Sequence, residues 1–178
     1  MSKMIAGLLS LAFAAPAVAS HNNDPVARWR AIVGVITAQG VINPVADINS
    51  GTFAWSARNG WARVNLSTGA TAFAVDGLVI NGTAFSGTAG PVTQVEGTLV
   101  CNAGQAGEAT LDTAPVALSV QGDADFSGSI GAVPSPCGNP LFLIRIVNPA
   151  GALGRWIATG ADRTISRAGH YRGEEEGN

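Results

Sequence analysis

The chain has 178 residues, enough for one domain with a substantial core. Charged residues make up only 12% of it and the net charge is -2, so it lacks the basic stripe that a nucleic-acid partner needs. No stretch reaches the ~20 apolar residues of a membrane-spanning helix, so no transmembrane span is expected.

The first element is a leader. Lys3 is followed by an apolar run from Met4 to Ala15, then by the helix breaker Pro16 and by Ala17-Val18-Ala19. Small residues flanking the cut are what a signal peptidase recognises, so residues 1–19 are predicted to be a signal peptide cleaved before Ser20 or His21. No cysteine stands at that position to take a lipid anchor. The alanine-rich leader looks bacterial, and it predicts an exported protein, secreted to the extracellular space or the periplasm. Its removal takes away the only lysine.

The first strand is predicted at 31–37. Residues 52–66 read as a hairpin around Asn59-Gly60, a pair suited to a type I′ turn because that turn needs positive φ at both centres. That register pairs Ala57 with Ala62, Trp55 with Val64 and Phe53 with Leu66 on a core face. It leaves Ser56, Arg58, Trp61, Arg63 and Asn65 on a wet one. Over 70–80, Thr71, Phe73 and Val75 alternate against three alanines, and Asn81-Gly82 marks a turn. Over 92–101, Val95, Leu99 and Cys101 point inward, and Gln94, Glu96 and Thr98 point outward. Over 116–126, Val116, Leu118, Val120, Ala124 and Phe126 form the inner set, with Asp123 and Asp125 outside. Three prolines make 133–140 an extended loop. The apolar run 141–147 reads as a central strand, and 155–161 as the last. Residues 167–178 are predicted to be a disordered acidic tail ending Glu174-Glu175-Glu176-Gly177-Asn178.

About eight short strands at this spacing predict an all-β fold, a single antiparallel β-sandwich over 20–166. Cys101 and Cys137 read first as a disulfide, because export lets a thiol pair oxidise and persist. A metal site would need further ligands, and the only histidines, His21 and His170, lie near the chain ends. No metal, cofactor or catalytic residue is therefore expected. The segment from Asp123 to Gly128 begins like a calcium loop, but Pro134 stands where the bidentate glutamate should be. Asn65 and Asn81 fit the glycosylation sequon, a pattern frequent by chance.

The candidate ligand-binding residues are Trp61, Arg63 and Arg58. An outward tryptophan beside arginines suits stacking on a sugar ring. The plainer alternatives are a cation–π contact with Arg58 or Arg63, or packing under a neighbouring loop.

The Val-Asp-Gly-Leu segment ending at Leu78 and the segment from Ser86 to Cys101 resemble the chordin-type (CHRD) domain, with Gly77-Leu78 and Gly90-Pro91-Val92 as the matching positions. The resemblance covers about 30 residues. It implies a secreted Greek-key sandwich related in shape to copper/zinc superoxide dismutase. That family's histidine pair has no counterpart here, so no metal site carries over. The expected role is that of an exported, non-enzymatic binding or structural protein with a glycan or protein surface as partner. The alternatives are a carboxylate-based hydrolase acting on envelope polysaccharide, for which Asp123 and Asp125 share a face, and self-assembly through sheet edges.

Overall fold

Residues 24–167 are described in a computed structural model. The predicted leader lies outside them, as does the tail beyond Arg167. The described residues form strands and loops with no helix: β1 (Pro25–Gly34), β2 (Trp55–Ser56), β3 (Asn59–Asn65), β4 (Ala70–Asp76), β5 (Val79–Ile80), β6 (Gln94–Cys101), β7 (Ala109–Asp112), β8 (Val116–Ala117), β9 (Ala124–Ser129), β10 (Leu141–Val147) and β11 (Leu153–Arg167). Nine of them form one antiparallel sheet in the order β7-β6-β10-β11-β1-β3-β4-β9, with β8 also on β6. β2 and β5 make a small second sheet. The all-β reading therefore holds.

The large sheet curls on itself, so that its two halves face each other across one core. Phe142 on β10 lies against Trp29 of β1, with ring centroids 5.5 Å apart, and against Phe73 of β4 at 5.6 Å. Strands that are distant in the sheet order thus meet through aromatic rings. Space for the rings comes from Gly97 on β6, where a Cβ would stand 2.6 Å from Phe142 Cζ and 2.9 Å from Phe73 Cε1. The chain crosses between the halves after β5, after β8 and after β9, as Greek-key sandwiches do.

The predicted β10 is found residue for residue, between β6 and β11. Thr71, Phe73 and Val75 are buried, as the alternation required. Gly82 adopts the positive φ expected of a turn. Cys101 and Cys137 are joined in a disulfide that ties the proline-rich loop to the end of β6. Asn102 holds the same loop: its N–H donates to the Gly138 carbonyl, and its side-chain oxygen accepts from the Gly138 N–H at 2.8 Å.

The Asn59-Gly60 hairpin does not form. Neither residue has positive φ, and both lie inside β3, opposite Asp76 and Val75 of β4. β2 pairs with β5 instead, Trp55 against Ile80, so the Ala57–Ala62, Trp55–Val64 and Phe53–Leu66 pairs are absent. Gly60 serves close approach rather than a turn, because a Cβ there would lie 2.7 Å from the Ile32 Cβ. The faces of β3 are nevertheless as predicted, with Ala62 and Val64 buried and Trp61 and Arg63 outward.

Other expectations also change. The first strand begins six residues earlier than predicted and ends at Gly34, and β11 extends well beyond 155–161, to Arg167. The 116–126 strand is two strands, β8 and β9, parted by a turn at Gly122 with φ of 85°. Val120 in that turn is exposed. Glu96 and Thr98 are buried rather than wet: Thr98 lies opposite Asp112 of β7 and donates to its carboxylate, and Thr113 just beyond accepts from the Gly97 N–H.

Candidate binding site

The three residues singled out from the sequence are not all brought together. In an antiparallel pair, directly opposed residues share a face. Trp61 on β3 therefore stands beside Ala74 of β4, and Ala74 beside Asp125 of β9. One row further along, Arg28, Arg63, Ala72 and Ser127 line up across β1, β3, β4 and β9. Trp61 is 42% exposed, and the Arg63 guanidinium carbon lies 5.9 Å from its ring centroid, so those two do meet. Arg58 turns away, toward the Asp123 carboxylate at 3.9 Å.

Asp123 sits in the turn before β9 and accepts from the Gly77 N–H at 2.9 Å. With Asp76 and Asp125 it lines a shallow depression of about 400 Å³ on this face. Among the described residues, no three acid, histidine or cysteine side chains are placed to hold a metal ion.

The carboxyl with a displaced titration lies elsewhere. Glu96 is 7% exposed on β6, opposite Arg145 of β10. Burial, and then the neighbouring Asp112 carboxylate, raise it above the usual 4.5 against the pull of Arg145. The folded state thus holds this proton more tightly than the unfolded chain does. Its contribution favours folding fully below pH 4.5 and is lost as pH rises through the raised value. Glu96→Gln should accordingly raise the melting temperature at pH 7, with the gain shrinking as pH falls through the raised value toward 4.5. Thermal unfolding of both proteins between pH 4 and 7 checks this, and a difference that stays constant with pH would contradict it.

A cavity with an almost wholly apolar lining is at the end of the sandwich where β1 finishes and β11 begins. There the loop leading to β2, the small β2–β5 sheet and the 81–93 loop surround a cavity of about 330 Å³. Phe53, Trp55, Ile80, Phe85, Pro91, Val92 and Ile146 line it, with Arg155 at its edge. The volume is at the small end of ligand pockets, which span about 300–1,000 Å³.

Each wall has a local cause. The β2–β5 pairing holds Trp55 inward, at 4% exposure, beside Ile80. The Gly90-Pro91-Val92 segment closes one side, with Phe85 packed over Gly90. Phe53, predicted to be core, is 37% exposed at the rim, and Phe85 is 54% exposed. Arg155 is fixed by donating from Nη1 to the Ser50 carbonyl at 3.1 Å.

Sequence reasoning missed this pocket because its lining comes from four separated segments. The one visible signal was Phe85, a large apolar side chain within a run of glycine, serine, threonine and alanine where a turn needs none. No protein-family model matches the chain, and no curated protein or solved structure matches it.

Proposed function

We propose that the chain is a non-enzymatic binding protein working outside the reducing cytosol, and that its ligand enters the pocket between Phe53 and Phe85. The observation that carries this reading is the combination of apolar lining and exposure. Two phenylalanines stand partly in solvent at the mouth of a cavity walled by buried Trp55 and Ile80. Exposed aromatics of this kind around an apolar hollow gain by burial against a ligand, about 25 cal/mol per Å² covered. The disulfide suits an oxidising location, and among the described residues no helix is long and apolar enough to cross a membrane.

The test uses N-phenyl-1-naphthylamine, a neutral apolar fluorophore. It should bind saturably, and Phe85→Ala should weaken it five- to tenfold with little loss of thermal stability, since Phe85 is largely exposed. Trp61→Ala should leave it unchanged. The reverse pattern, with Trp61→Ala weakening and Phe85→Ala silent, would move the site to the outer face of β3 and β4. Absence of saturable binding would overturn the pocket reading.

A further inference from the structure

The pocket is not apolar throughout, and its polar corner indicates what it accepts. Trp55 is 4% exposed, and among the described residues its indole N–H donates to no acceptor and is not sealed in the core, so the small exposed part of this side chain includes a free donor, whereas the indole N–H of Trp156 donates to the Asn43 carbonyl at 2.9 Å. The Trp55 Nε1 lies 3.6 Å from where a Cβ of Gly51 would stand, and Gly51 itself lines the cavity. The Arg155 guanidinium is bonded to Ser50, the residue immediately before. Two donors, one neutral and one cationic, therefore flank the same Ser50–Gly51 corner, and the missing side chain at Gly51 leaves that corner open.

Arg155 forms no ion pair among the described residues. The adjoining depression, which shares Arg155 and Ile146 with the pocket, carries Asp47 and Arg145. Arg145 is engaged with Asp112 at 3.5 Å. One guanidinium bond to a backbone carbonyl fixes Arg155 in place and leaves other N–H groups of the fork free.

We infer that the pocket binds a small carboxylate with an apolar body, its carboxyl taken by the Arg155 guanidinium and the Trp55 indole N–H at Ser50–Gly51, and its chain or ring between Phe53, Ile80, Phe85 and Val92. This deepens the proposed function and rests on it. A purely hydrocarbon guest would cover the Trp55 N–H and give it no acceptor, an unfavourable exchange. A cationic amphiphile would meet the guanidinium. A carboxylate satisfies both donors, and charge-assisted bonds of this type are the strong ones. The cavity takes one short chain or one ring system, not a two-chain lipid.

The test is displacement of the naphthylamine fluorophore by three ligands of one chain length at pH 7.5, each below its micelle concentration: decanoate, decanol and decyltrimethylammonium. Decanoate should bind at least tenfold tighter than decanol, and the cation should be weakest. In Arg155→Gln the preference for decanoate over decanol should fall to within twofold while the fluorophore still binds. Equal affinity of the wild-type protein for all three ligands would overturn the inference and leave the apolar-pocket reading standing. So would a fluorophore that binds and is displaced by none of them. If the fluorophore itself does not bind, both fall. The wild-type panel decides the matter even if Arg155→Gln does not fold.

Discussion

Replacing Cys101 and Cys137 together by alanine is expected to lower the unfolding free energy by about 4 kcal/mol. The bridge spans 36 residues of sequence, and in the chain-entropy model a loop of that length restrains the unfolded chain by about this amount. The native loop should change little, because Asn102 still grips it through Gly138 and through its own amide bond to the Pro136 carbonyl at 3.1 Å. The loss therefore falls largely on the unfolded state. In urea titration the midpoint should drop while the slope m rises, since an uncrosslinked denatured chain exposes more surface. A falling midpoint with an unchanged slope would place the effect in the folded state instead. Domains are typically stable by only 5–15 kcal/mol, so the variant should be marginal at 37 °C.

Phe142→Ala is expected to cost about 3–5 kcal/mol, and for a different reason. The ring is fully buried and tilted against both Trp29 and Phe73. It is the contact through which β10 in one half of the sheet reaches β1 and β4 in the other. Collapse around the cavity is hindered because the neighbours are large rings on strands locked by ladders on both sides. Here the urea midpoint should fall with m unchanged, in contrast to the cysteine variant. A cost below 1 kcal/mol would mean that the two halves are not held together through this aromatic group.

The comparison of β10 with Gly60 shows what local sequence carries. Leu141–Val147 is paired on both sides, so its apolar run announces it without knowledge of its partners. At Asn59-Gly60, the local preference for a turn competes with a side chain from β1, Ile32, that needs the space. No window of neighbouring residues contains that information. Glu96 is a similar case: its alternation says outward, yet it is buried, and the residue that stands opposite it, Arg145, comes from β10, far along the chain. The outward placement of Trp61 and Arg63 was legible because it depends only on strand alternation. The partner of Arg58 was not, because Asp123 reaches it from a turn between β8 and β9. The pocket was least legible, since its donors and its apolar walls meet only once β2 leaves β3 for β5.

β1 and β11 are neighbours in antiparallel register, with Pro25 directly opposite Arg167. The described chain therefore enters and leaves at one pole of the sandwich, the pole that also holds the end of β6 and the disulfide. The cavity with Phe53, Phe85 and Arg155 is at the other pole, where β1 ends and β11 begins. Anchoring by either end to a wall, a filament or another domain would thus hold the pocket outward, facing the medium. A pull on both ends would open β1 from β11 one residue pair at a time, like a zip, rather than shear the ladder all at once. Load applied between Pro25 and Arg167 would thus meet the hydrogen bonds of that ladder a pair at a time.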